Sequence, residues 1–453
     1  MVILTTFTSP QILQMSSVPK IVAAAKQAFP AWSKLPVRNR VKHLTRFKSL
    51  IVADADTLAT LIHEDHGKDL KEAHAELEKG LETLEYAEAG AVLLNGNKLM
   101  VSKGVYCEDS REPLGVVTSI CPFNFPMMVP FWTIPLALVT GNCIVVKPSE
   151  KVPRTLDRIL ELSREAGIPE GVFSLAHGGT DVVNELATHP DIRAVTFVGS
   201  SPVAKIVGDM AQSHGKKAVC LGGANNHLVL LPDADMDLAT QDVVASFCGC
   251  SGQRCMAASV LCVVGNQSHT VERIVEIASA TTTPPLIDMM ATDHVNALVD
   301  RARNDPDCEM LLDGGFGTTD SFHPSIIRLK RSVVENAERH WLMTTEIFAP
   351  VLVVVECDTI DEAIRHENES EFGNGASVYT QSGANAEHAT SRFNAGMIGV
   401  NVGVPVPREP FSFGGNNLSN VTGHHDITGM DGINFFTRKR KITTRWGDDK
   451  TIF

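Results

Sequence analysis

The chain has 453 residues, 43% of them hydrophobic and 21% charged, with a formal net charge of −13. That length predicts two or three domains around a large core. The negative charge disfavours non-specific nucleic-acid binding, and no segment has the roughly 18 consecutive apolar residues of a membrane span. The N-terminus lacks a basic region followed by an apolar core, so no signal peptide is expected. Ten thinly spread cysteines fit a reducing cytoplasm rather than a secreted disulfide scaffold.

Val18, Ile21, Val22, Ala25 and Phe29 recur at helical spacing, as do Val37, Val41, Leu44, Phe47 and Ile51. Leu58–Ala91 also reads as helix and is densely charged. His63-Glu64-Asp65-His66 within it has a metal-like look, but two histidines three apart on a charged helix read as a solvated face, and no metal is expected. The texture then changes. Gly115–Ile120, Cys143–Val146 and Ala194–Val198 are short valine- and isoleucine-rich runs suited to buried strands. Leu156–Ala166 between the last two is a helix stopped by Gly167 and Pro169. This alternation predicts a parallel α/β sheet. A second α/β region offers strands at His227–Leu231, Val260–Val264, Val351–Glu356 and Met397–Asn401. Arg301–Phe322 reads as a polar surface excursion. The alternating Ile442–Trp446 suits an edge strand that pairs with a partner.

Four stretches carry chemistry. Pro122-Phe123-Asn124-Phe125-Pro126 follows a strand; Asn124 is either a turn residue or an amide aimed at a developing oxyanion. Lys147-Pro148-Ser149-Glu150 ends the next strand, where Lys147 and Glu150 either face solvent or hold ribose hydroxyls. Phe197-Val198-Gly199-Ser200-Ser201 leads into a helix; Gly199 and Ser200 form a plain cap or a phosphate site. No Gly-x-Gly-x-x-Gly is present. Finally, Cys248-Gly249-Cys250-Ser251-Gly252-Gln253-Arg254-Cys255-Met256 places Cys255 beside Arg254, whose charge favours a thiolate. Gly252 leaves approach and backbone unrestricted. A buried cysteine acting as a small hydrophobe reads the same way from this stretch alone. Cys248, Cys250 and Cys255 lack the partners of a tetrahedral metal site.

Together these residues resemble the aldehyde dehydrogenase superfamily. The motifs occur in the family's order: Pro122–Pro126, Lys147–Glu150, Phe197–Ser200, Leu221-Gly222-Gly223, Gly252–Cys255 and Glu346-Ile347-Phe348-Ala349-Pro350. The resemblance covers most of the chain from about Ile21. It is nearest to the CoA-acylating methylmalonate-semialdehyde branch, which Gly252–Ala257, Asn226-His227, Asn401-Val402, Pro405-Val406-Pro407 and Thr444-Arg445-Trp446 match. It implies that Cys255 attacks an aldehyde while Asn124 and the Cys255 N–H hold the oxyanion. Lys147 and Glu150 would hold the adenosine ribose of NAD, Ser200 the pyrophosphate and Glu346 the nicotinamide ribose, with Phe348 packed nearby. Arg254 would pair with a substrate carboxylate. Lys79 stands where the branch has a second arginine, and keeps the charge without the planar fork. Cys220 stands where hydrolytic members carry the glutamate that activates water. A thiol is a poor base for that task, so CoA is the expected acyl acceptor.

The implied fold is α/β, aldehyde dehydrogenase-like. A Rossmann-like NAD-binding domain would take residues 1–96 and 113–223, and a catalytic domain 224–427. A small β bridging element would take 97–112 and 428–453. The implied activity is NAD-dependent oxidation of a small carboxylated semialdehyde with acyl transfer to CoA, in a cytoplasmic homodimer or homotetramer without nucleic-acid or membrane partners. A hydrolytic NAD-dependent dehydrogenase and a non-catalytic binding or structural protein on this fold are the alternatives.

Overall fold

β-branched side chains suit an extended backbone covered on both faces, and the valine- and isoleucine-rich runs are strands. The computed structural model describes residues 17–315, 317–318, 321–334 and 339–446. Residues 1–16 of the expected first domain and 447–453 of the expected bridging element lie outside that range, as do 316, 319–320 and 335–338 of the expected catalytic domain. The first sheet has five parallel strands, in the order Phe173–Leu175, Cys143–Lys147, Val116–Ile120, Ile192–Val198 and Lys217–Leu221. The Val116–Ile120 and Cys143–Lys147 strands are buried along their whole length.

The second sheet has seven strands, in the order Cys308–Leu312, Ser325–Leu329, Val351–Cys357, Ala258–Val264, Asn226–Leu230, Gly375–Tyr379 and Met397–Val400. Only the first pair is antiparallel. The stretch expected as a polar excursion over Arg301–Phe322 is instead part of this body. It holds the end of the Met289–Arg303 helix and the Cys308–Leu312 edge strand, and Phe322 is buried in the core. Its Gly and Asp residues disguise a strand of only five residues.

A third, three-stranded sheet joins Lys98–Ser102, Val105–Pro113 and Thr437–Arg445. The last two pair antiparallel over nine positions, from Thr437 opposite Pro113 to Arg445 opposite Val105. The helix expected over Leu58–Ala91 is broken into Ala55–His66, Leu70–Glu88 and Gly90–Leu93. Gly67, at φ +88°, ends the first piece in the left-handed conformation that glycine adopts without strain. Asp69 then accepts the Glu72 N–H at 2.7 Å and caps the next. No helix among the described residues is long and apolar enough to cross a membrane.

Candidate active site

The five-stranded sheet changes direction beside Val116–Ile120. The following strands stack on one side of it, and Ile192–Val198 returns on the other. Segments leaving the two strand ends diverge and open a crevice. A cavity of about 230 Å³ lies there, lined by Phe123, Asn124, Gly199, Ser200, Glu346, Phe348 and Cys255. Ser200 is the N-cap of the Ser201–Ser213 helix, yet its hydroxyl makes no capping bond. The Ser201 hydroxyl is occupied instead: it accepts the Gly223 N–H and donates to the Leu418 carbonyl, both at 2.9 Å. Ser200 and the helix's leading N–H groups therefore fit a phosphate. Buried Lys147 reaches the exposed Glu150 carboxylate at 2.6 Å. Burial works against the charged Glu150, but the Lys147 ammonium, the Glu150 N–H and the Lys151 charge together outweigh it and hold the carboxyl below its usual value. Phe348, at φ +57°, meets Phe123 edge-on with ring centroids 6.1 Å apart.

Cys255 also lines a second cavity, of about 430 Å³, between the Leu70–Glu88 helix and residues 402–413. Phe125, Met128, Trp132 and Phe413 give it apolar walls, and Lys79, Arg254 and Arg408 bring positive charge. Cys255 therefore stands where two cavities meet. Its main chain is fixed by Asn226 and Asn374, whose side-chain amides donate to the Cys255 carbonyl at 2.8 and 2.7 Å. Asn226 stands out in sequence only as a family match and Asn374 not at all, because the two are 148 residues apart and meet only where the neighbouring Asn226–Leu230 and Gly375–Tyr379 strands pair. The turn before Cys255 takes left-handed backbone at Cys250, Ser251 and Gly252. Gly252 is required by close approach: a Cβ would lie 2.2 Å from the Ala349 carbonyl carbon. Its smallness serves the backbone rather than the substrate's approach.

The Asn124 amide donates one N–H to the Gln253 carbonyl at 3.0 Å. An amide has two such donors, so the second is left for the cavity that Asn124 and Cys255 share. The expectation that Arg254 makes Cys255 a thiolate is corrected. Burial pushes the Cys255 thiol up to about 12, the Glu346 carboxylate adds to the rise, and the pulls of the Cys255 and Met256 N–H groups and of Arg254 are smaller. Arg254 turns much of its guanidinium elsewhere: Nε donates to the Gly249 carbonyl at 2.9 Å and Nη2 to the Ala245 carbonyl at 2.7 Å. Lys79 binds Glu82 at 2.6 Å, which offsets its charge. Arg408 is mostly exposed and contacts Glu82 at 3.3 Å; it carried no sequence signal.

Glu346 accepts the Ala224 N–H at 2.9 Å, and burial pushes its carboxyl up to about 7. Cys220 is fully buried, lines neither cavity, and its thiol is pushed up to about 12 by burial. It keeps its proton and cannot serve as a base. Cys248 and Cys250 are buried as well. His66 is not on a solvated face, as expected, but buried and neutral against Phe123. Asp305, Cys308 and His340 cluster elsewhere. There the His340 Nδ1 accepts the Leu342 N–H, which places the ring proton on Nε2 toward Asp305 and not a metal.

The sequence pattern of the aldehyde dehydrogenase family matches residues 5–442. The chain is 40% identical over 454 residues to malonate-semialdehyde dehydrogenase 1 of Oceanobacillus iheyensis, covering 97% of this chain and 93% of that one. It is 38% identical over 439 residues to the protein of the same name from Geobacillus thermodenitrificans, covering 94% and 90%. Among solved structures, the methylmalonate-semialdehyde dehydrogenase of Oceanimonas doudoroffii superposes with TM-score 0.90 at 34% identity, covering 95% and 91%. A candidate methylmalonate-semialdehyde dehydrogenase from Sinorhizobium meliloti 1021, solved with NAD, superposes with TM-score 0.91 at 32% identity, covering 96% and 91%. The order of the motifs, the crevice at the strand ends and the cysteine between two cavities have one common explanation: the chain belongs to the aldehyde dehydrogenase family.

Proposed function

We propose that the protein is a CoA-acylating, NAD-dependent dehydrogenase of malonate or methylmalonate semialdehyde. The observation that carries this is the position of Cys255 between a crevice fitted for a nucleotide and an apolar cavity edged with positive charge. In this reading the Cys255 sulfur bonds to the aldehyde carbon as its thiol proton passes to water in the cavity, and the Asn124 amide and Cys255 N–H hold the oxyanion. Lys147 and Glu150 would hold the adenosine ribose of NAD, Gly199 and Ser200 its pyrophosphate, and Glu346 with Phe348 the nicotinamide end. Bound there, NAD supplies the hydride acceptor. Arg254, Lys79 and Arg408 orient the substrate's carboxylate, which leaves as carbon dioxide. The thioester on Cys255 passes its acyl group to the CoA thiol, because Cys220 cannot deprotonate water.

The division proposed with this reading is 1–96 and 113–223 for NAD, 224–427 for catalysis, and 97–112 with 428–453 for bridging; the three separate sheets support it. A homodimer or homotetramer is the assembly the exposed edges favour. Thr437–Arg445 and Met397–Val400 are both edge strands, and Leu99, Met100 and Val101 are exposed on Lys98–Ser102, the opposite edge of the three-stranded sheet. All ten cysteines are unpaired, in keeping with a cytoplasmic setting. The test is product analysis with malonate semialdehyde and NAD. Acetyl-CoA formed only with CoA present supports the reading; free acid formed equally fast without CoA makes the enzyme a hydrolytic dehydrogenase.

A further inference from the structure

The Asn124 amide must point at one place, yet its own loop has no regular structure that would hold it. The restraint comes from the Leu70–Glu88 helix and the residue just before its cap. Gly67 reverses the chain, and Lys68 turns inward. The side chains of Lys68 and Glu76 are both fully buried and lie 2.8 Å apart. Lys68 Nζ also donates to the Asn124 carbonyl at 2.7 Å and sits 4.3 Å from the Phe125 ring centroid. The other Glu76 oxygen accepts the N–H of Met127 at 2.8 Å and of Met128 at 3.2 Å. One ion pair therefore grips the loop at 124, 125, 127 and 128.

A buried ion pair is a poor way to gain stability, because desolvation cancels most of the attraction. This pair spends its remaining hydrogen-bonding capacity on a loop that carries Asn124. One turn earlier on the same helix face, Glu72 accepts the Cys250 N–H at 2.6 Å. The spacing of four residues sets both carboxylates on one side, so a single helix ties the amide loop to the turn that carries the nucleophile.

We propose that Lys68 and Glu76 are positioning residues that hold the Asn124 amide at the oxyanion site, with Glu72 of the same helix holding the opposing turn. The inference rests on reading Asn124 as the oxyanion donor. Its failure and that of the reading separate in a double-mutant cycle.

Lys68→Met with Glu76→Gln removes both charges together, which avoids the cost of an unpaired buried charge. A misplacement of about 1 Å costs on the order of 10²-fold. The double variant should therefore fold, bind NAD within about threefold of wild type and react with iodoacetamide at the wild-type rate, while kcat falls roughly 10–100-fold. Built into Asn124→Ala, the same pair of changes should cost less than about threefold more, since no amide remains to be positioned. Should the double variant not fold, Glu76→Asp keeps both charges and withdraws the carboxylate from the Met127 and Met128 N–H groups; kcat should then fall about fivefold or more with NAD binding intact. Wild-type kcat in the double variant, or in Glu76→Asp, overturns the inference. So does a loss that multiplies fully in the Asn124→Ala background. If Asn124→Ala alone leaves kcat unchanged, it is the oxyanion reading that falls.

Discussion

On one side of Cys255 the cavity walls are the ends of parallel strands and a helix N-terminus; on the other they are a helix face and the irregular residues 402–413. The strand-end cavity takes its shape from sheet topology, so every member of such a sheet opens a crevice there. The helix-and-loop cavity takes its shape from particular side chains, and its polar groups largely satisfy one another. Lys79 is bound by Glu82, and Arg254 by two carbonyls. A cofactor site can thus be inherited with the fold, whereas a substrate site is set by local chemistry.

The sharpest way to break this division is at the residue both cavities share. Cys255→Ala should abolish turnover and leave NAD affinity within about threefold, because in the proposed reaction the sulfur forms the covalent bond while Lys147, Glu150, Ser200 and Glu346 hold the nucleotide. Turnover near wild type, measured as NADH formation, would end the assignment. Asn124→Ala should lower kcat by roughly 10²–10³, the scale of one oxyanion donor.

The acyl acceptor gives the next largest effect. With Cys220 buried and protonated, rapid mixing without CoA should give a burst of about one NADH per active site and then a slow phase. CoA should restore steady turnover, since a thiol is intrinsically a better nucleophile than water. A linear trace without CoA, at the rate seen with it, is the contrary result. On the nucleotide side, Glu150 should repel a 2′-phosphate, so NAD should exceed NADP in kcat/KM; a repulsion of about 1.4 kcal/mol is tenfold. Equal values would place Glu150 away from the ribose.

How much was legible follows the same division. The strands at 116–120, 143–147 and 192–198 were readable because buried parallel strands are continuous apolar runs, and the Pro122–Pro126 and Phe197–Ser200 motifs that leave two of them line the crevice. The Phe173–Leu175 and Cys308–Leu312 strands were not, being short and flanked by glycine, proline or aspartate. Nor were Lys68, Glu72 and Glu76. In sequence they are ordinary members of a charged helix, and only burial against distant loops distinguishes them. Cys255 was singled out from its neighbours, but adjacency of Arg254 in sequence did not aim its charge at the sulfur: its Nε and Nη2 donate to the Gly249 and Ala245 carbonyls.

The cationic rim of the larger cavity sharpens the comparison by its mixed roles. Arg254→Leu removes one hydrogen bond to the turn before Cys255, at Gly249, and one to the preceding helix, at Ala245, so carboxylated and simple aldehydes should both lose kcat, the former more. Among the described residues the Arg408 side chain pairs only with Glu82, on an exposed surface. Arg408→Leu should leave stability within about 0.5 kcal/mol and raise KM for the acid substrate alone, by about two- to fivefold, the scale of an exposed ion pair. Equal KM changes for both substrates would remove Arg408 from carboxylate recognition.

The last effect is electrostatic, is read in stability rather than turnover, and belongs to the nucleotide side. Burial pushes the Glu346 carboxyl up to about 7 in the folded chain, against about 4.3 in an unfolded one. Between those values the folded state binds more protons than the unfolded state, so this group's contribution to stability falls as pH rises through that window. Glu346→Gln removes the charge and keeps an oxygen to accept the Ala224 N–H. Its melting temperature relative to wild type should therefore climb from pH 4.5 to pH 7 and level off above pH 8. The same variant should bind NAD more weakly, because a carboxylate accepts ribose hydroxyl bonds more strongly than an amide does. A melting difference that does not vary between pH 5 and 8 would show that Glu346 is not held in a costly buried state. A gain in apo-enzyme stability matched by a loss in NAD affinity would show that the crevice accepts an unfavourable carboxylate for the sake of its ligand.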